Sequence, residues 1–221
     1  MTDPDKIKVL DGILKDTKIS VGLKDLVPIS WKTVGVCASK ISLSNWDREK
    51  EKEALDLFCH TLSYFASQSC VNIKVSDPYK PVSGTTDNSW EIDLTCEDEE
   101  YEIAIEGKFK TTNDGAVSDN RKEVFFDLFK CENYIDSKIY SLAFFLMLTN
   151  EIGYLKRASG DSKDFSTHQG RKYIAGTQLN ARRARRKMPL PLTLRYNYTF
   201  EWLRISPDGK WNVLCIPVTK K

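Results

Sequence analysis

Histidine is almost missing from this chain. Only His60 and His168 occur in 221 residues, and neither has a neighbour that would make an acid–base dyad of it. Six cysteines are present, none at Cys-x-x-Cys spacing; with so few histidines, no zinc site is legible. Long apolar runs are missing too. The longest, around Leu142 to Leu148, is far too short to span a bilayer. No apolar N-terminal run follows a basic stretch, so no export signal is expected. A Gly-x-Ser-x-Gly elbow, a phosphate-loop fingerprint and a dinucleotide-binding glycine pattern are all absent, which sets aside three large enzyme classes. There is no internal repeat.

What is present describes a globular protein. Hydrophobic residues make up 41% and charged residues 29%, the balance of a soluble fold. The length suits one domain, 1–221, with insertions. Several cysteines sit among apolar residues and read as buried free thiols in a reducing compartment, the cytoplasm. The net charge of +2 hides segregation: residues 97–106 are acidic, whereas residues 182–187 read Arg-Arg-Ala-Arg-Arg-Lys. Whole-chain charge therefore neither requires nor excludes a nucleic-acid partner.

Periodicity predicts the elements. Ile7, Leu10, Ile13 and Leu14 mark an amphipathic helix within residues 5–27. Thr33–Ser39 reads as a strand. A longer helix, capped by Asn45 or Asp47, reaches about Ser67, with Leu55, Phe58, Leu62 and Phe65 on its buried face. Val71–Val75 is a strand, and residues 77–88 form a Pro-, Ser- and Gly-containing loop. A hairpin at 90–110 leads to a helix over Arg121–Asp136, with Val124, Phe125, Leu128 and Phe129 apolar. Ile139–Thr149 reads as a strand buried on both faces. Residues 156–189 read as a long, basic, mobile insertion. A terminal hairpin follows at about 192–218, its strands 192–205 and 211–218 joined by Ser-Pro-Asp-Gly-Lys.

The 90–110 hairpin carries the chemistry. Trp90, Ile92 and Leu94 alternate with Glu91, Asp93 and Thr95. In the second strand, Ile103, Ile105, Gly107 and Phe109 alternate with Glu102, Ala104, Glu106, Lys108 and Lys110. Two carboxylates and an amine, Asp93, Glu106 and Lys108, thus converge on one side, a seat for a divalent metal and the water it activates. An acid on one strand followed by Glu-x-Lys on the next resembles the PD-(D/E)xK nuclease superfamily. Asp93 takes the place of the first aspartate, Glu106 of the second acid and Lys108 of the lysine. Ile92 stands where the motif has proline. The helix–strand–strand–strand–helix–strand order of residues 45–150 is also that of the superfamily's αβββαβ core.

The resemblance implies an α/β fold with a mixed central β-sheet flanked by helices, and a magnesium-dependent endonuclease, manganese substituting, acting on double-stranded DNA in restriction or defence. It implies metal ligation by Asp93, Glu106 and the Gly107 carbonyl. A further carboxylate comes from the preceding helix, where Glu51 fits the register better than Glu49 or Glu53. It gives Lys108 the role of positioning or helping to deprotonate the water, and a homodimer for cutting both strands. Arg121 and Lys130, on or next to the following helix, are candidate phosphate contacts or, equally, solvated surface charges, and Asp127 a tie for Lys108 or Arg121. The basic run of Arg182, Arg183, Arg185, Arg186 and Lys187 is a further nucleic-acid contact, joined by Arg171 and Lys172.

Plainer readings stand beside these. Asp93, Glu106 and Lys108 could be an ordinary cross-strand salt bridge, worth only about 0–1 kcal/mol. Glu91 is either an alternative ligand or a solvated edge charge. Glu51 is equally at home in a solvated first helical turn, and the basic run in a solvated helix or arm. Tyr196, Tyr198, Phe200 and Trp202 fit core packing better than base stacking. At the level of function, the alternatives are a non-catalytic nucleic-acid-binding module that keeps the nuclease fold, or an interaction subunit.

Overall fold

The computed structural model describes residues 3–15, 19–46, 49–76, 80–81, 91–183 and 188–220. Three helices come first: α1 (Pro4–Leu14), α2 (Leu23–Ser39) and α3 (Lys50–Gln68). The strands β1 (Lys74–Ser76), β2 (Lys80–Pro81), β3 (Glu91–Ile92), β4 (Leu94–Glu97) and β5 (Glu102–Lys110) follow. Then come α4 (Val117–Asp136) and β6 (Leu142–Thr149). The remaining strands are β7 (Arg171–Tyr173), β8 (Gln178–Leu179), β9 (Leu192–Thr193), β10 (Tyr198–Phe200), β11 (Leu203–Arg204) and β12 (Asn212–Val218).

The result is a mixed α/β fold around a six-stranded sheet in the order β1-β4-β5-β6-β12-β11. Only β5 and β6 run parallel, Ile103 opposite Leu142 and Lys110 opposite Thr149; the other ladders are antiparallel. A parallel pair needs a crossover, which α4 supplies. Helices α1, α2 and α3 cover one face, where Leu26, Trp31, Phe58, Leu62 and Phe65 join Leu94, Ile103, Ile105 and Phe109 in one core. The other face packs on α4 through Val124, Phe125, Leu128, Ala104, Phe145 and Met147. Every residue of β6 is buried, as its unbroken apolar run predicts. Among the described residues, no helix is long and apolar enough to cross a membrane. All six cysteines are free; Cys37, Cys96 and Cys131 are buried, and Cys70 is exposed.

Several sequence expectations are corrected. Thr33–Ser39 is the end of α2, not a strand. Leu23, Leu26, Val27, Ser30, Trp31, Val34 and Ala38 are buried at helical spacing, and the helix runs through Pro28. That proline removes one donor without stopping the helix, because the apolar face is anchored on both sides of it. Asn45 closes a short 3-10 turn instead of capping α3, which starts after Glu49; Asp47, most of the 77–88 loop and Trp90 lie outside the described residues.

The segment expected as a mobile insertion is packed over its described part. Phe165, Tyr173 and Leu179 are buried, and Phe125 of α4 sits 5.5 Å from Phe165 and 5.2 Å from Tyr173. The expected strand 192–205 is three short pieces, pairing with β8, β7 and β12 in turn. Glu132, fully buried, interrupts it by accepting the Arg195 N–H at 2.8 Å and the Tyr198 hydroxyl at 2.7 Å. Tyr198, Phe200 and Trp202 belong to the core, the packing reading of that aromatic stretch.

Gly35 lets α2 lie directly on the far side of the sheet. A Cβ there would stand 2.6 Å from Val213 Cγ1 and clash with Ile205. Gly35→Ala is therefore expected to destabilise the fold by about 1–3 kcal/mol, the cost of overpacking. Urea unfolding checks this: the midpoint falls while the slope is unchanged.

Candidate active site

The site is built on a match between two periods. Alternate side chains of β5 recur every two residues, about 6.6 Å along the strand. Side chains four apart on a helix recur about every 6 Å. Lys110, Lys108 and Glu106 on β5 consequently meet Glu123, Asp127, Lys130 and Tyr134 on α4 in sequence. Lys110 Nζ lies 3.7 Å from Glu123 and Lys108 Nζ 2.9 Å from Asp127 Oδ2. Lys130 Nζ contacts Glu106 Oε2, and the Tyr134 hydroxyl donates to Glu106 Oε1 at 2.5 Å. Glu106, Lys108, Asp127, Lys130 and Tyr134 are all buried.

Asp93 reaches this group from a bend. Ile92 packs into the α4-side core and Leu94 into the opposite one, so the expected alternation breaks at Asp93, which lies between β3 and β4. The β4 ladder starts at Leu94 opposite Ile105. Beyond Ile105, the outer edge of β5 has no strand partner among the described residues. Two carboxylates take its exposed donors instead: Asp93 Oδ2 accepts the Gly107 N–H at 2.8 Å and Glu51 Oε2 the Phe109 N–H at 3.3 Å. Glu51 Oε1 also lies 3.7 Å from Lys108 Nζ. Gly107 leaves room for Leu55 where α3 crosses β5, since a Cβ would stand 2.8 Å from that side chain and push it aside.

Four carboxylates (Glu51, Asp93, Glu106, Asp127) thus share two ammoniums (Lys108, Lys130), a formal excess of two negative charges. The proton affinities register it. Burial, with Asp127 and Glu51 adding to it against the lysines, lifts the Asp93 carboxyl to about 6. Burial and then Asp93 push Glu106 well above the usual carboxylate range, with Lys130 opposing. Burial alone would lower Lys108, but Asp127, Glu51 and Asp93 outweigh it and hold the amine charged. In this state Lys108 is a hydrogen-bond donor and a fixed positive charge; it has no free lone pair with which to take a proton from water.

The structure therefore brings together Asp93, Glu106, Gly107, Lys108 and Glu51 as expected from sequence, with Asp127 tying Lys108. It does not place Arg121 or Lys130 where an incoming phosphate meets them. Arg121 is buried, its guanidinium donating to the carbonyls of Gly153 and, at 2.6 Å, Lys156. Lys130 is buried on Glu106. Arg182 and Arg183 are exposed; Arg185, Arg186 and Lys187 lie outside the described residues. Glu91 is exposed on β3. Tyr134 and the pairing role of Lys130 were not read from sequence, although the spacing of Glu123, Asp127, Lys130 and Tyr134 on one helical stripe carries that signal.

As a metal centre the donor set fits in charge but is not assembled. Among the described residues, no three His, Cys, Asp or Glu side chains are gathered as ligands, and both oxygens of Glu106 are engaged by Lys130 and Tyr134. No family model, no curated protein and no solved structure matches this chain.

The raised Asp93 makes stability depend on pH in an unusual direction. The folded chain keeps that proton up to about pH 6, while the unfolded chain loses it near the ordinary value of 3.8. Stability therefore falls as pH rises across this window. Relative to Asp93→Asn, which retains an acceptor for Gly107, the wild type is expected to lose about 2 kcal/mol between pH 4 and pH 6. Denaturant melts of both proteins across that range check it; parallel curves would show that Asp93 titrates normally.

Proposed function

We propose that this chain is a metal-dependent nuclease of PD-(D/E)xK type, with a restriction-endonuclease-like core, hydrolysing phosphodiester bonds in double-stranded DNA. The observation that carries this reading is the meeting of Asp93, Glu106 and Lys108 at the unpaired end of β5. The order α3, β1, β4, β5, α4, β6 supports it, with the short β2–β3 ladder interposed.

An excess of two negative charges at a half-buried site is costly unless protons or a cation offset it. A divalent cation, magnesium or manganese, does so in the reading proposed. Asp93 and Glu106 would hold it, with Glu51 and the Gly107 carbonyl, once Lys130 yields Glu106. When bound, such an ion supplies Lewis acidity toward a water and the phosphoryl oxygens. Lys108, fixed by Asp127 and Glu51, orients that water and offsets charge developing on the phosphoryl group. Glu51, 35% exposed, faces the solvent from which a strand would arrive. Cutting both strands of a duplex calls for two such sites, hence a homodimer.

One observation favours a second reading. Glu106 is already satisfied by Lys130 and Tyr134, which suits a nuclease fold kept as a non-catalytic nucleic-acid-binding module. Binding would then need no metal and would survive Lys108→Ala.

Supercoiled plasmid incubated with magnesium or manganese separates the two. The nuclease reading expects nicking by the wild type and a loss of at least about 100-fold in folded Lys108→Ala and Glu106→Ala. Plasmid left intact by folded wild-type protein in both metals would favour the binding module.

A further inference from the structure

Arg121 and Lys130 are buried in other work, so neither offers a cationic surface to the strand that the candidate site would cut. The turn after β6 supplies one. Because β5 and β6 are parallel, this turn leaves the sheet at the same end as the candidate site. Arg121 of α4, six residues before Asp127, clasps the carbonyls of Gly153 and Lys156 and so sets the position of Arg157. A second loop is tied alongside: the Gln169 N–H donates to the Leu155 carbonyl at 3.4 Å, and the Arg171 N–H to the His168 carbonyl at 3.0 Å. His168 Nδ1 is 2.8 Å from the Ser166 hydroxyl, which accepts the Ala158 N–H at 2.9 Å.

Three basic residues are carried on adjoining loops this way, with one exposed acid, Glu201, next to the strand partner of Arg171. Asp161 is engaged by Lys122 at 2.5 Å and by the Arg182 N–H, Asp164 accepts the Asn180 N–H, and Glu151 accepts the Gly153 N–H. Among the described residues, neither Arg157 nor Arg171 has a carboxylate at ion-pair distance. The Arg171 guanidinium lies 4.6 Å over the Tyr173 ring, which holds it in place. Its Nε is buried and has no acceptor among the described residues, so any phosphate would meet the terminal nitrogens of the guanidinium. Burial, and then the charges of Arg171, Arg157 and Arg121, hold the His168 imidazole below its usual range. The local field is therefore positive.

We propose that Arg157, His168 and Arg171 form a phosphate-binding subsite beside the candidate active site, taking a backbone phosphate of a nucleic-acid strand. The assignment of the strand rests on the nuclease reading; the affinity for phosphate rests on these three side chains. Forked arginine donors and an imidazole suit the oxygens of a phosphate.

His168 makes the proposal measurable, because the chain has only one other histidine. His60 lies 3.5 Å from Asp11 on the opposite face of the sheet and serves as an internal control. The imidazole resonances of the wild type, Arg157→Ala and Arg171→Ala are followed by NMR in metal-free buffer, against inorganic phosphate and against a short DNA duplex. The expected result is a saturable shift of His168, with its pKa raised by the anion, and no shift of His60. Both variants should lose the His168 shift. Each should also lower the slope of log affinity for duplex against log salt by about one. Arg157 is exposed, so its variant tests the contact without disturbing the core.

Duplex bound with His168 unmoved, or bound as tightly by both variants, would overturn the subsite and leave the nuclease reading standing. A His168 response to duplex in a protein that never cuts plasmid would sustain the subsite and sink the nuclease. A response to inorganic phosphate but not to duplex would assign the cluster to a small phosphorylated ligand and overturn the strand contact.

Discussion

The charged ladder between β5 and α4 is the interaction on which the rest of the site depends. Its Lys108–Asp127 and Lys130–Glu106 rungs are buried, so each carries a desolvation cost that only a partner can offset. Removing one partner from such a pair typically costs about 3–5 kcal/mol, whereas the intact pair contributes little compared with apolar packing. The ladder therefore fixes geometry more than it adds stability. It sets the register of α4 against the sheet, and with it the positions of Asp127 beside Lys108 and Tyr134 beside Glu106. Arg121 lies on the same helix, so the turn carrying Arg157 takes its position from the same alignment.

That geometry is unequal in charge. An unconnected buried network would be settled by protonating carboxylates, and the high proton affinity of Asp93 and Glu106 is that response. Lys108 is settled in the opposite sense: three carboxylates keep it charged. Groups pushed apart in this way, concentrated at one strand end, are what functional sites display more often than structural ion pairs do. Here the carboxylates double as caps for an unpaired strand edge, so Asp93 and Glu51 have a structural task whatever chemistry they serve.

Much of this was legible in the sequence, and the failures have physical causes. Period-two alternation found β5 and put Glu106 and Lys108 on one side, because β5 is regular for nine residues. The same rule misplaced Ile92 relative to Leu94, because a bend at Asp93 reverses the faces. The α2 helix was hidden by Pro28 and by the β-branched look of Thr33, Val34 and Val36, which its buried stripe overrides. Arg121 and Lys130 read as phosphate contacts through the nuclease resemblance, or as solvated surface charges, because arginine and lysine are usually exposed. Nothing local reveals that their partners are a distant turn and a buried glutamate. The division of residues 192–205 depends on Glu132, sixty-three positions before Arg195, and no periodicity reports such a contact.

The position of β12 bears on how the protein is made. This strand lies against β6 along its whole length, Ala143 to Thr149 opposite Val218 to Asn212, and α2 closes over it through Gly35. During synthesis β6 therefore emerges long before its neighbour, and the most apolar strand of the sheet waits with one edge of its backbone unpaired. Such an edge is a template for pairing with another chain. The interval between the ribosome releasing β6 and releasing β12 is when a nascent copy is most exposed to its neighbours on the same message.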